Sequence, residues 1–282
     1  MTDETLADIV RRDDPERHLA ALFAPGPVRS GLFALYAFNI EIARVSETVS
    51  EPVIGEMRLA WARDAIVDLY ADPPRVRRHP VYEALAALRS LPGAPDIDSL
   101  VTLVEARAAD LGQGAFPDDH ERERYVDRTA GLLMRLAARL CQPGADDDVA
   151  VNGAVQAAGR LWGYTGLLRA FAPLCAAGRP PVTDAELAAC GANLEALRRG
   201  LQPDAAAKLR RGLAGVAHAA ASEFEKTRHA LPPELFPAIG YVTLAKPLLR
   251  RAARQDRPGQ ATAMPLLECQ ARLIVASLRG RP

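Results

Sequence analysis

Apolar residues recur along this chain at the spacing of helix faces rather than of strands. When successive residues are turned by about 100°, one apolar stripe of segment 27–50 consists of Phe38, Ile42, Val45 and Val49. Runs of alternating Val, Ile, Thr and aromatic residues are missing, and most segments between Pro and Gly have helical period. The pattern predicts an all-α protein in which this stripe faces the core.

The same predicted helix carries two further faces. One is charged or hydroxylated and is expected to be solvated; it holds Glu41, Arg44, Thr48 and Glu51. The other lies between that face and the apolar stripe, and it holds Asn39, Ala43, Ser46, Glu47 and Ser50. A strip of small and polar residues on a long helix either lines a cavity or receives a closely packed helix, and the spacing leaves both open.

A second segment, GRLWGYTGLLRAFAPLCAAGR at 159–179, is apolar almost all round, as buried helices are. Arg169 lies within it and must reach a boundary or be paired, because an unpaired buried charge is strongly destabilising. Gly159, Gly163 and Gly166 each cost a helix interior about 0.5–1 kcal/mol relative to Ala. We therefore expect them to make room for a close neighbour or a ligand.

Length, charge and cysteine spacing narrow the class of protein. We expect the 282 residues to form a single domain, 1–282. Lys plus Arg and Asp plus Glu both total 35, so a nucleic-acid partner is not predicted. The four cysteines lack C-x-x-C or metal-ligand spacing, which favours free thiols in a reducing compartment. The acidic, polar amino terminus lacks the apolar core of a signal peptide, so we expect a cytoplasmic location.

Membrane contact, if any, is predicted to be peripheral. No stretch of about 18 consecutive apolar residues is present. In LAKPLLRRAARQDR at 244–257, basic residues follow apolar ones. This pattern is typical of helices that lie on a membrane surface, and equally of solvated helix ends whose Arg side chains complement the helix dipole.

Two segments carry a resemblance to a known family. ALYAF at 34–38 resembles the ALYAFCR signature of squalene/phytoene synthases, and GLLRAFAPLCAAGR at 166–179 resembles their N-I-L-R-D-x-x-E-D-x-x-x-G-R signature. Arg107 with Asp110, and the segment ERYVDRTAGLLMRLAA, agree more loosely. The resemblance implies an isoprenoid-synthase-type helical bundle with a central cavity.

In that family, Asp-rich motifs on two facing helices hold Mg²⁺ ions, which bind a diphosphate and help it leave. Mg²⁺ prefers hard carboxylate oxygens. The first motif, D-D-x-x-D, aligns here with Ala43, Arg44 and Glu47, so one carboxylate remains. The acidic positions of the second motif align with Ala170 and Leu174, so none remains. The two helices that carry these motifs would form facing walls of the expected cavity, and we predict that neither wall holds a metal ion. We also predict that the chain has no cofactor.

If the family's cavity is kept, we expect residues of the two segments to line it. The candidates are Tyr36, Asn39, Ser46, Tyr164 and Arg169. In an enzyme with altered motifs, Arg44 and Arg169 would have to bind the phosphate groups in place of the metal ions. Arginine side chains can do this, because the guanidinium group binds phosphate with two hydrogen bonds.

Three functional hypotheses remain open. The stretches YAFNIEIARVSETVSEPVIGEMRL and LLRAFAP resemble the divergent branch of the family that contains the mitochondrial complex I assembly factor. That resemblance implies a non-catalytic protein which binds a respiratory-complex subunit or an apolar lipid. The alternative is a head-to-head prenyltransferase that acts on farnesyl or geranylgeranyl diphosphate with Mg²⁺. In the third hypothesis, the altered helices only pack against each other.

Overall fold

The computed structural model describes residues 5–253 and 264–280. These residues form a bundle of α-helices joined by turns and short 3-10 segments, and no β-strand occurs among them. The α-helices are α1 (Leu6–Asp13), α2 (Pro15–Ala21), α3 (Gly26–Ala43), α4 (Val45–Thr48), α5 (Pro52–Leu69), α6 (Pro80–Leu88), α7 (Ile97–Ala106), α8 (Asp119–Val126), α9 (Leu132–Cys141), α10 (Val149–Arg169), α11 (Phe171–Ala176), α12 (Asp184–Ala189), α13 (Leu194–Arg198), α14 (Pro203–Thr227), α15 (Phe236–Ile239), α16 (Ala245–Ala253) and α17 (Leu266–Leu278). The predicted all-α fold is confirmed.

Several helices begin at residues that suit a helix start. The carboxylate of Asp148 accepts hydrogen bonds from the backbone N–H groups of Ala150 and Val151 at 2.8 and 3.2 Å, and so caps α10. Pro15 occupies the first position of α2, where a backbone N–H is not needed. Asp14 caps the same helix with its side chain. The turn between α1 and α2 is therefore fixed by its own residues.

The centre of the bundle is α10. It packs against α9, α14 and α16 and against a π-helical segment, Asp127–Gly131. Buried residues such as Leu161, Trp162 and Leu167 lie on several sides of it, as the all-round apolar pattern predicts. Helix α3 packs against α1, α6 and α9. Helix α3 carries the segment 34–38, and α10 and α11 carry most of the segment 166–179.

The helix predicted over residues 27–50 is divided at Arg44, which separates α3 from α4. The backbone of Arg44 stays in the right-handed helical region (φ −74°, ψ −11°), so the side chains continue on the same stripe across the break. Ile42 and Val45 on either side of it are buried, as predicted. Val49 follows the end of α4 and is only half-buried.

The apolar residues of segment 244–257 lie in the core. Leu244, Leu248 and Leu249 are at most 1% exposed, so they are not available to a membrane. Residues 254–257 fall outside the described part of the chain. Of the helices described, none combines the length and the apolar character that crossing a bilayer requires.

Candidate functional site

The residues that align with the first metal motif lie at the junction of α3 and α4. Ala43 is half-buried and Glu47 is exposed. Arg44 reaches towards α1, where its Nη2 donates to Oδ1 of Asp13 at 2.6 Å. This wall therefore offers one carboxylate, and the cation beside it is already paired.

The residues that align with the second motif lie where α10 passes into α11. Ala170 is the single residue between these helices, and Leu174 belongs to α11. The preceding Arg169 forms an ion pair with the buried Glu16, with 2.9 Å between Nη2 and Oε1. Of the two outcomes expected for Arg169, pairing is the one observed.

Both walls are thus tied to one short stretch of chain. We call residues 13–17 the α1–α2 corner. Its Asp13 holds Arg44 at the end of α3, and its Glu16 holds Arg169 at the end of α10. The side chain of Arg17 extends between α3 and α10 at Tyr36 and Trp162, about two helical turns before the two motifs.

Arg17 lies in a box of aromatic rings. Its Cζ is 5.7 Å from the ring centroid of Tyr36 on α3, 5.9 Å from that of Trp162 on α10 and 5.1 Å from that of Tyr241. Its Nε donates to the Tyr241 hydroxyl at 3.1 Å, and its Nη1 pairs with Asp14. Burial lowers the pKa of Arg17, but Asp14 and Tyr241 raise that pKa by more, so the guanidinium stays charged.

The structure places the predicted lining residues in different surroundings. Tyr36 is 1% exposed and packs on Arg17, and its hydroxyl has no hydrogen-bond partner among the described residues. The pKa of Tyr164 is raised by burial and then by Glu123, so this side chain lies towards α8. Ser46 is half-buried in α4. The space expected between the walls is therefore filled, at the level of Tyr36, by Arg17.

A cleft of about 360 Å³ lies beside α8 and α11. Its apolar wall includes Leu167 and Leu174, and its polar surface includes Asp110, Tyr125 and Arg179. Leu174 is the one residue of the altered motifs that lines it, and none of the five predicted lining residues does. The cleft therefore differs in its lining from the cavity that the sequence predicts.

Asp110 is the centre of the hydrogen-bond network in this cleft. It accepts from the hydroxyl of Tyr125 at 2.8 Å, from Nη1 of Arg107 at 3.3 Å and from Nη1 of Arg179 at 3.4 Å. Arg107 also donates through Nη2 to Oδ1 of Asn39 at 3.0 Å. Of the predicted lining residues, Asn39 is thus the one joined to the cleft, through Arg107.

The network holds its groups in fixed protonation states. Burial raises the pKa of Tyr125, and the charge of Asp110 raises it further. Burial lowers the pKa of Arg107, whereas Tyr125 and Asp110 raise it by more. The Tyr125 hydroxyl and the guanidinium groups of Arg107 and Arg179 thus surround Asp110, next to an apolar wall. Glu105 and Glu121, with Arg124 and Arg128, are further charged residues of the lining, so the cleft offers acidic and basic groups in equal number.

Mg²⁺ does not fit the residues at the motif positions. Two unit charges 4 Å apart interact by roughly 4 kcal/mol at an effective permittivity of about 20, and a divalent ion doubles this energy. Glu47 is the single carboxylate at the motif positions, and the charge of the adjacent Arg44 is already compensated by Asp13, so these positions offer a metal ion one ligand. Asp110 already accepts from three donors. Within residues 5–253 and 264–280, no group of three or more His, Cys, Asp or Glu side chains is placed to hold a metal ion.

The α1–α2 corner is the part of the site that sequence reasoning missed. The stretch RDDPER indicates a helix start, and nothing in its period shows that Glu16 and Arg17 are buried. The available signal was a balance of charge. Arg169 stands in an apolar segment and needs an acidic partner, and RDDPER contains three acidic residues. Arg44 gives no such signal, because its predicted face is solvated.

Comparison with known proteins supports the same family. A family model described as squalene/phytoene synthase matches residues 10–268. The chain is 28% identical over 180 residues to the human protein named NADH dehydrogenase (ubiquinone) complex I, assembly factor 6. The aligned region covers 60% of this chain and 49% of that protein. It is 25% identical over 252 residues to the Mus musculus protein of the same name, covering 88% and 73%. The chain spans about half the length of the human relative.

A solved structure shows the same fold. The crystal structure of a dehydrosqualene synthase in complex with a ligand superposes with a TM-score of 0.74 over 97% of this chain and 95% of that chain, at 14% identity. The isoprenoid-synthase type of bundle is therefore confirmed. Since the family model matches nearly the whole chain, the protein belongs to the squalene/phytoene synthase family.

Proposed function

We propose that this protein is a non-catalytic member of its family and acts by binding a protein subunit during assembly of the respiratory NADH dehydrogenase. The observation that carries the proposal is the α1–α2 corner. It neutralises Arg44 and Arg169 and places Arg17 between the helices that carry the altered motifs. A diphosphate with its metal ions would have to displace this buried, paired corner.

The assembly role is supported by the relatives. The human and mouse proteins that match this chain are named as complex I assembly factors. The match to the family model extends over residues 10–268 and so includes the ends of α3 and α10, where the altered motifs lie. A respiratory-complex subunit is therefore the partner that we propose, in preference to an apolar lipid.

One observation favours the enzyme alternative. The cleft contains Arg124, Arg128 and Arg179 beside Leu167 and Leu174, and this combination matches a prenyl diphosphate. Arg124 and Arg128 are, however, paired with acidic residues on or near the cleft. The carboxylates of the cleft, Glu105, Asp110 and Glu121, all form ion pairs with arginines, so they are already engaged and do not offer the Mg²⁺ ligands that ionisation requires.

The test is deletion of the gene in its own organism, followed by native electrophoresis of the NADH dehydrogenase and an assay of NADH oxidation in membranes. We expect less assembled enzyme in the deletion strain and recovery when the wild-type gene is returned. Unchanged assembly would contradict the proposal.

Two variants separate binding from catalysis in the same strain. Glu47→Gln removes the one carboxylate left at the first motif, and Glu51→Gln is a matched change at a nearby exposed position. We expect both genes to restore assembly fully. Failure of Glu47→Gln alone would favour a metal-dependent activity.

A further inference from the structure

Helix α17 has an apolar outer face. Leu267, Ile274 and Leu278 are 79%, 52% and 83% exposed. They follow one another at seven and four residues and so share a side of the helix. The opposite side buries Leu273 and Ala276, and α17 packs there against α2 and the 3-10 segment that precedes α16. The helix is therefore apolar on two sides, and only one of them is covered.

A cationic groove runs along the same helix. It encloses about 790 Å³ between α17, the end of α14 and the start of α16. Its charged lining comprises one acid, Glu225, and four basic residues: Arg228, Lys246, Arg272 and Arg279. Arg272 pairs with Glu268 at 3.1 Å, and Lys246 pairs with Glu225 at 2.7 Å. Arg228 also pairs with Glu225, at 3.1 Å. Among the described residues that line the groove, together with Glu268, four positive charges face two negative ones.

The excess of positive charge in the groove does not follow from the composition of the chain, since acidic and basic residues are equal in number over the whole chain. The groove is also lined by the apolar residues Leu161, Phe224, Val242 and Val275. Basic groups thus surround an apolar floor on the flank of α17, about a third of a turn around the helix from the exposed leucines. We call this whole region, the outer face of α17 with its groove, the α17 surface.

We propose that the α17 surface docks on an anionic phospholipid bilayer. Leu267, Ile274 and Leu278 enter the boundary between head groups and acyl chains, with α17 parallel to the membrane plane. The basic residues of the groove contact lipid phosphates. Charge complementarity favours a bilayer over a protein partner, because a row of basic residues along an exposed apolar helix face matches an anionic sheet with an apolar interior.

Helix α5 provides a comparison within the same molecule. Its exposed apolar residues Val53, Met57 and Trp61 are 55%, 68% and 46% exposed. The charged neighbours include both Arg63 and Asp64, which pair with each other at 3.3 Å. This face is apolar without an excess of positive charge, and we expect no preference for anionic lipid from it.

The experiment is flotation of the purified full chain with vesicles of phosphatidylcholine alone and of phosphatidylcholine mixed with phosphatidylglycerol. We expect flotation with the mixed vesicles only, and release as salt is raised, because the Debye length shortens. The flotation experiment does not depend on the proposed assembly function, since it requires only purified protein and lipid.

Variants assign the binding to the α17 surface. Leu267→Gln with Leu278→Gln is expected to lower the partition coefficient at least tenfold, because two exposed leucines no longer enter the bilayer. Lys246→Gln and Arg272→Gln are each expected to lower it about fivefold. Met57→Gln and Arg63→Gln on α5 are the matched controls and are expected to leave it unchanged. Circular dichroism and a denaturation curve verify that each variant is folded.

Several results would overturn the proposal. One is absence of flotation of the wild-type protein at low salt, and another is equal flotation with both kinds of vesicle. A third is equal loss of binding in the α5 controls. A fourth is a concentration-dependent dimer that the leucine variant abolishes, without any flotation, which would make the α17 surface a contact between copies of this chain.

Discussion

Arg17 is 6% exposed, and its charge is compensated by one carboxylate and three aromatic rings. Removing one partner of a buried ion pair is far more costly than losing a surface pair, because the other charge is left without compensation. Asp14 caps α2 as well as pairing with Arg17. The conformation of the corner and the filling of the space between α3 and α10 therefore depend on the same side chains.

Arg17→Ala is expected to lower the free energy of unfolding by about 3 kcal/mol, since it leaves Asp14 unpaired and opens a gap beside Tyr36. Urea denaturation followed by circular dichroism measures this change. Arg63→Ala is the control, because its pair with Asp64 is exposed, and we expect it to cost less than about 0.5 kcal/mol. A loss below about 1 kcal/mol for Arg17→Ala would show that the buried pair of Arg17 with Asp14 does not stabilise the corner.

His18 follows the corner and stacks on Phe33, with 5.2 Å between the ring centroids. Burial and the charge of Arg11 lower its pKa, while Asp8 opposes them, so the folded-state pKa lies below the ordinary value of 6.5. As pH falls below 6.5, the unfolded chain takes up this proton before the folded chain does. The contribution of His18 to stability is therefore complete above pH 6.5 and decreases below it.

The expected result is a free energy of unfolding that falls with acidity below pH 6.5 in the wild-type protein and falls less steeply in His18→Gln. Denaturant titrations at several pH values measure it. His120→Gln serves as the control at an exposed position and should leave the slope unchanged. Identical pH profiles for His18→Gln and the wild-type protein would exclude a role for His18.

At the residue scale, the sequence predicts which groups have been replaced but not what replaces their interactions. Ala43, Arg44, Ala170 and Leu174 are identified because they stand at fixed places in signatures that are local in the chain. The partners of Arg44 and Arg169 come from the α1–α2 corner, far away in sequence. Such pairs are set by tertiary packing, which helical period does not encode.

At the scale of elements, the closest approach in the site region joins α10 to the π-helical segment before α9. A Cβ placed on Gly159 would lie 2.7 Å from Cα of Gly131, which is a backbone atom and cannot move alone. One placed on Gly163 would lie 2.6 Å from Cγ1 of Val126. A Cβ on Gly166 would meet nothing within 4 Å. Of the two explanations for these glycines, a close neighbour therefore accounts for Gly159 and Gly163.

We expect Gly159→Ala to destabilise the protein by about 2 kcal/mol, because α10 and the π-helical segment must separate. Gly166→Ala is the matched control in the same helix. It is expected to stabilise the protein by about 0.5–1 kcal/mol through its higher helix propensity. Equal effects of the two substitutions in a denaturation experiment would contradict this account of the packing.

The helices themselves are largely predictable, because the start of a helix and its buried face are determined by residues that are close together in the sequence. The cap of α10 at Asp148 and the start of α2 at Pro15 both follow known preferences. The break at Arg44 is not predictable from the period, since the residue keeps a helical backbone and the apolar stripe continues past it. Val49 is misjudged for the same reason.

At the scale of the whole molecule, the family fold is kept while its charged interior is rearranged. The walls that would face each other through metal ions are instead joined by the α1–α2 corner, and the remaining cleft is built around Asp110, Tyr125 and Arg179. Fold and family could be predicted from two signatures and helical period. The position of the cleft could not, because it results from the filling of the space between the walls.

The most direct test of this account is incubation of the purified protein with farnesyl or geranylgeranyl diphosphate and Mg²⁺, with the release of diphosphate followed over time. A family enzyme with intact Asp-rich motifs serves as the positive control. The account predicts no release above that of the substrate alone, because the walls lack ligands for the metal and Arg17 occupies the space between them. Release of diphosphate over many turnovers would contradict it.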